Sequence, residues 1–328
     1  MSANDEKMSR MELTAEDKRL FTPIASDAIA SEKIIAPRYS YWKSVFRVFF
    51  RKKINIVLIV IFVLMLLAAF ILPSFWVYDP MENVTNAKAY SLSPHAAMSY
   101  FKDGGLKWIL GTGTLGNSIF YGIIAGARTS LVLAIICAAI NMTIGILVGA
   151  AWGYSKRLDA ILLVIFNIIA NVPYILLISV LVYVIGSGFW PFVFALTVTG
   201  WLSIAYFFRT QVMIIRDREY SLASRCLGTP VRRVIFKNIL PFVTSVIVTL
   251  LATELPSYIS MEVFLSYIGV GLSATVPSLG RMIQEAQGAF LTFPWAFWPP
   301  VLVAAAITII LYVLGQNLAD ATDPRTHM

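Results

Sequence analysis

Uncharged apolar stretches recur along the chain, among them Ile54 to Tyr78, Thr129 to Ser155, Ala160 to Phe208, Asn238 to Thr253 and Ala286 to Ala319. As a helix the first covers roughly 35 Å at 1.5 Å per residue, enough for a bilayer core of about 30 Å. The run from Ala160 is too long for one crossing. It divides at Gly186-Ser-Gly-Phe-Trp-Pro191, where two glycines, a proline and an interfacial tryptophan predict a tight turn at headgroup level. After Pro241 the apolar pattern continues past two lone glutamates. Six transmembrane helices are predicted, at about 54–77, 129–154, 160–185, 190–209, 241–264 and 296–317. Between the first two, Asp79 to Arg128 is rich in Gly, Asn, Ser and Lys and predicts an extramembrane loop with short helices. The expected organisation is a polar N-terminal tail at 1–53, a first span with its external loop at 54–128, a core of spans two to six at 129–319 enclosing a loop at 210–240, and a tail at 320–328.

Composition agrees with an all-α integral membrane protein: 58% of residues are hydrophobic, 13% are charged and the mean hydropathy is +0.76. The net charge of +8 is unevenly spread, with eleven of the 26 bases in the first 53 residues. Lys and Arg near span ends resist translocation, so their positions orient the chain. Arg47, Arg51, Lys52 and Lys53 precede span one, Lys156 and Arg157 follow span two, and seven bases from Arg209 to Lys237 separate spans four and five. All three sites, and both termini, are then expected in the cytoplasm. No secretory apolar segment is read in the first 53 residues.

Several chemistries are excluded. Cys137 and Cys226, His95 and His327 are too few and too scattered for a disulfide scaffold or a zinc site, and no metal or cofactor is expected. Gly111-Thr-Gly113-Thr-Leu-Gly116 matches G-x-G-x-x-G but lacks the strand, helix and downstream acid a dinucleotide site needs. No Walker A sequence and no H-E-x-x-H occurs, so the chain is not expected to hydrolyse ATP alone or to be an enzyme.

Other patterns point inward. Gly145, Gly149 and Gly153 form a smooth stripe on span two for close helix packing. Asn167 and Asn171 lie one turn apart in span three next to Pro173, either bonding between helices or lining a path through the membrane. Glu254 and Glu262 in span five, with Tyr258 one turn from each, are too costly to face lipid and should face a cavity or a partner. The stretch Arg216 to Pro241 is the most informative. Gly228 suits the left-handed position after a short helix from Glu219 through Leu222 and Leu227, and Thr229 and Pro230 suit the start of a second helix. Leu222, Ala223, Cys226 and Leu227 would form a small apolar knob ringed by arginines, including Arg225, able to dock in a soluble partner's groove.

In this stretch Ala223, Gly228, Leu240 and Pro241 match the Glu-Ala-Ala, three residues, Gly, nine residues, Ile, one residue, Leu-Pro loop of the membrane permeases of bacterial ABC importers, with Leu222, Ser224 and Asn238 replacing Glu, Ala and Ile. Further blocks resemble the C-type permease of dipeptide and oligopeptide importers: Leu110-Gly-Thr-Gly113, Gly126 to Leu131, Gly149 to Tyr154, Glu262 to Gly271, Pro277 to Gly280 and Asn317 to Arg325. The tails look most like the oligopeptide type of streptococci and lactococci. The resemblance implies a type I importer permease fold that forms half of a translocation path and is driven by ATPases docked at Glu219, Leu222, Ala223, Arg225, Gly228, Thr229, Pro230, Leu240 and Pro241. It implies as partners a B-type permease, two cytoplasmic ATP-binding subunits, an extracellular substrate-binding lipoprotein and a peptide substrate, with no nucleic acid. Glu262 would serve an outer gate. Glu254 would meet a peptide's amino end in transit or pair with the sister permease.

Two other classes fit less well. Secondary transporters are usually built from inverted repeats with broken helices around midplane ion sites, and one large basic loop among six spans does not match that plan. An intramembrane enzyme lacks a nucleophile and base, since the spans hold no His and only Cys137. Within the importer class, dipeptides or nickel chelates are alternative cargoes.

Overall fold

The computed structural model describes residues 41–76, 78–101 and 105–322, apart from the side chain of Asn238. The expectations for 1–40 and for the ending 323–328 lie outside these residues. All elements below belong to the compact unit Val45–Met328, except that the first helix begins in the preceding unit.

The predicted polar tail ends in a helix, α1 (Tyr41–Arg51), with Val45 and Phe49 buried and Phe46 and Phe50 exposed. α2 (Lys53–Ile71) is apolar on all sides and closes in a short 3-10 turn through Ser74, because Pro73 cannot continue the backbone ladder. The segment between α2 and the next long helix holds α3 (Pro94–Tyr100), capped by the Ser93 hydroxyl. α4 (Ile119–Tyr154) begins ten residues before the predicted span. Its N-cap is Ser118, which accepts the Tyr121 amide, and Arg128 sits inside the helix rather than at its start.

Span three is two helices, α5 (Lys156–Ala170) and α6 (Tyr174–Ile185), bent by 81°. Pro173 supplies the break, since it has no amide to donate to the preceding turn. Span four is also divided, into α7 (Phe189–Thr197) and α8 (Gly200–Arg216). The loop that follows carries α9 (Glu219–Cys226) and α10 (Val231–Arg233). A π-helical turn at Val234–Ile239 and a 3-10 turn at Leu240–Val243 lead into α11 (Thr244–Tyr267). α12 (Leu279–Ala286) and α13 (Pro294–Thr322) complete the described residues. Five stretches are long and apolar enough to cross a membrane, Lys53–Ser74, Ile119–Tyr154, Phe189–Arg216, Val231–Tyr267 and Pro294–Thr322, and the bent pair α5–α6 makes a sixth.

The most extensive helix contact joins α4 to α8, and the glycine stripe causes it. A Cβ on Gly145 would stand 2.7 Å from Ile204 Cγ2, on Gly149 2.6 Å from the Ala205 carbonyl oxygen, and on Gly153 2.6 Å from that of Arg209. The two backbones therefore touch over three turns, gaining van der Waals contact where lipid offers no hydrophobic drive. Gly315 of α13 meets Ala252 of α11 in the same manner. The main core lies between α4, α6, α7 and α11, around Leu133, Cys137, Ile178, Phe192 and Ile259.

Candidate functional site

The Arg216–Pro241 loop is anchored before it is shaped. Arg216 is buried at the end of α8, donates through Nη1 to the Gly153 carbonyl oxygen at 3.0 Å, and forks onto Asp217 at 2.9 and 3.0 Å. That guanidinium holds the Asp217 carboxyl below the usual carboxylate range. α9 then runs from Glu219 and ends as a Schellman motif. The Gly228 amide donates to Arg225 at 3.0 Å and the Thr229 amide to Ser224 at 3.1 Å, with Gly228 at φ +75°. The second helix starts one residue later than expected: Pro230 is the cap, its carbonyl accepting from Arg233 and Val234, while Thr229 belongs to the preceding motif.

Leu222, Ala223 and Cys226 on α9 and Leu227 at its C-cap are all exposed, Leu227 at 86%. Glu219 and Arg225 are exposed beside them, and Arg225 lies 6.0 Å from the Tyr154 ring. Tyr220 stacks on Phe242 with centroids 5.2 Å apart, tying α9 to the start of span five. Leu240 packs half-buried against a core of Phe208, Val212 and Ile239, while Pro241 is exposed.

A second polar group lies deeper. At the gap between α7 and α8 the Leu196 carbonyl accepts from Tyr174 at 2.9 Å and from Asn141 Nδ2 at 3.3 Å. Asn141 Nδ2 also donates to the Tyr258 hydroxyl at 2.6 Å. Glu254 stands one turn before Tyr258 on α11. Tyr174, Tyr258 and Glu254, together with Thr199 and Ser203, border a cleft of about 410 Å³. Asn167 and Asn171 are not part of it. Both are exposed, with Asn171 Nδ2 donating to the Asn167 carbonyl at 2.5 Å.

Glu262 is separate from this cleft and fully buried. It accepts from Ser130 Oγ at 2.7 Å and Ser266 Oγ at 3.0 Å, and Ser130 Oγ accepts the Leu279 amide at 3.3 Å. The carboxylate thus joins α4 and α11 to the amino end of α12, where the helix dipole favours negative charge. Gly280 permits the approach, because a Cβ there would stand 2.9 Å from Glu262 Oε1.

Two features escaped the sequence reading. Asp159 and Arg209, the charges that bound the long uncharged run, form an ion pair, with Arg209 Nη2 donating to Asp159 Oδ2 at 2.9 Å and Trp152 Nε1 to Asp159 Oδ1 at 2.8 Å. The Gly111–Gly116 pattern is a structural turn. The Thr112 hydroxyl donates to Ala89 at 2.6 Å and accepts from Leu92 at 2.7 Å, and Gly111, at φ +82°, lets the Leu92 carbonyl approach where a Cβ would clash. Asn117 donates to the Tyr78 hydroxyl at 2.7 Å, which burial pushes up to about 12.

Comparison with known proteins gives this arrangement a context. Residues 141–328 match the model of the binding-protein-dependent transport system inner membrane component, and residues 40–94 match the N-terminal TM domain of oligopeptide transport permease C. The oligopeptide transport system permease protein AmiD of Streptococcus pneumoniae is 44% identical over 95% of this chain and 98% of its own. OppC of Bacillus subtilis is 33% identical over 94% and 97%, and DppC of the same species, a dipeptide permease protein, is 36% identical over 66% and 68%. These relatives are transport permeases rather than enzymes, and the apolar helices make this a multi-pass membrane protein. The chain belongs to the family of inner membrane components of binding-protein-dependent transport systems.

Proposed function

We propose that this protein is one of two permease subunits of an ATP-driven oligopeptide importer in the cell membrane. The observation that carries the reading is the end-to-end match to AmiD, which extends through the oligopeptide-permease N-terminal region. The DppC match covers a smaller share of the chain, which favours oligopeptides over dipeptides as cargo. The partners are a B-type permease, two cytoplasmic ATPases and an extracellular substrate-binding lipoprotein. The distribution of bases supports cytoplasmic termini and a cytoplasmic α9. The division into tail, first span with external loop, and core at 129–319 follows the same topology.

In this reading α9 is the coupling helix. Leu222, Ala223 and Leu227 fill a groove on the ATPase, Glu219 and Arg225 make polar contacts at its edge, and Gly228, Thr229 and Pro230 set its angle. Leu240 and Pro241 carry its displacement into span five. Glu254, Tyr258 and the cleft beside them border the path, Glu262 braces the outer end, and Asn167 and Asn171 lie on a face available to the sister permease. The test is reconstitution of the subunits in liposomes with a labelled oligopeptide. ATP-dependent uptake that Leu227→Asp abolishes, together with ATPase co-purification, is expected. Uptake and co-purification at wild-type levels in that variant would reject α9 as the coupling element.

A further inference from the structure

We infer that the cleft beside the α7–α8 break is a subsite for a primary ammonium, the free amino end of a peptide in transit, held by the Glu254 carboxylate with the Thr199 hydroxyl as a second acceptor. The inference rests on the peptide-import reading above. Its basis is an imbalance of donors and acceptors. Both Asn141 Nδ2 hydrogens are spent, one on Leu196 and one on the Tyr258 hydroxyl, which fixes the orientation of the amide. Tyr258 therefore receives a bond from Asn141, which leaves its own hydrogen to turn toward Glu254, one turn before it on α11. Thr199 Oγ1, on the lining of the cleft, is a buried oxygen with no hydrogen-bond partner. Unsatisfied buried oxygens of this kind mark a place where a donor is missing.

The lining supplies hydroxyls but no cation. Glu254 is the one charged residue among those bordering the cleft, and no Lys, Arg or His is among them. Ile169, Pro173 and Met261 form apolar walls that lower the local dielectric and strengthen attraction to a cation. An ammonium carries three donors and no acceptor, which complements the Glu254 carboxylate and the unpartnered Thr199 oxygen. With Pro241 at one surface, Glu254 lies about 20 Å along the helix, deep enough for a peptide to meet it inside the bilayer. The α7–α8 gap at Thr199 and Gly200 borders the same cleft. Irregular backbone within a membrane is tolerated where it lines a cavity.

The experiment measures import of one labelled peptide with a free amino end and of the same peptide N-acetylated. Each is supplied saturating and already bound to the binding protein, to the complete reconstituted importer. The readout is the ratio of the two rates within one preparation, so the yield of complex cancels. Wild type should favour the free amine about tenfold, in line with a hydrogen bond to a charged group. Glu254→Gln should bring the ratio close to one. Ser203→Lys, placed at an exposed position on the same lining, should do likewise by supplying a tethered ammonium, and it gives a reading if Glu254→Gln does not assemble. A ratio near one in wild type, or one unchanged in the variants, overturns the subsite. Import of neither peptide by wild type overturns the import reading, and the subsite with it.

Discussion

Replacing Gly228 isolates the cost of the backbone turn from every other effect. The residue sits at φ +75°, and a Cβ built there meets nothing within 4 Å, so a larger side chain is opposed by conformation alone. An L-residue in the left-handed region pays roughly 1–2 kcal/mol, with Asn paying least because its short polar side chain bonds locally. That range shifts a two-state equilibrium by about 5- to 30-fold. The amides reporting on it are those of Gly228 and Thr229, which donate to Arg225 and Ser224. Exchange at these two positions should accelerate in the order Asn, Ala, Val, with valine near the upper end of the range. Insertion and helix content should not change, since both bonds lie outside the spans. ATPase co-purification should fall in the same order, because a frayed cap lets Leu222 and Leu227 swing away from their common surface. If Gly228→Val and Gly228→Asn exchange at the same rate, conformational strain is not what Gly228 relieves. If exchange rises in the valine variant while co-purification stays at the wild-type level, the angle of α9 is irrelevant to docking.

Three further outcomes follow from packing and charge. Gly149→Val places a branched side chain against the Ala205 carbonyl and Phe208, which cannot retreat. A loss of at least about 1–3 kcal/mol should appear as low monodisperse yield and a lower melting temperature in detergent, and a wild-type melting temperature would refute the close α4–α8 contact. Glu262→Ala strips the acceptor from Ser130 and Ser266 and should cost about 1–3 kcal/mol in thermal stability, whereas Glu262→Gln keeps one acceptor oxygen and should cost less; equal losses would argue that volume alone matters. Glu285, outside the spans, has its carboxyl pushed up by burial, against the opposing pull of Arg281. Its folded form thus binds the proton more tightly than the unfolded chain. Its contribution to stability should grow as pH falls through the raised value and level off below the ordinary carboxylate range near 4.3. That rise should be missing from the pH profile of melting in Glu285→Gln.

The sequence disclosed whatever depends on near neighbours. The glycines at 145, 149 and 153 announce a face, and the left-handed Gly228 is readable because a helix must end where its polar punctuation falls. The number of spans follows from length and charge. Features that depend on residues far apart were hidden. Asp159 and Arg209 bounded an uncharged run, but their pairing needed α5 and α8 to be side by side. Pro173 marked a kink without giving its angle of 81°, which depends on what α5 and α6 pack against. The division of span four at Val198–Thr199 carries no proline and no charge, so hydropathy passes over it. Glu254 and Glu262 looked alike in sequence. Only the serines of α4 and α11 around one, and the cleft beside the other, distinguish them.

Backbone contact between α4 and α8 also makes the pair a lever. Helices spaced by large side chains can slide as rotamers change, but these two have nothing compressible between them over three turns. They are pinned at one end by Arg216 of α8 on the Gly153 carbonyl of α4, while Asn141 ties the middle of α4 to Leu196 of α7. From Gly153 to Ile119 the arm is about 51 Å long, so a tilt of about 5° at the α9 end moves the far end by about 4 Å. A displacement of that size at the far end is comparable to the width of an extended peptide backbone, and no bond inside the arm has to break to deliver it.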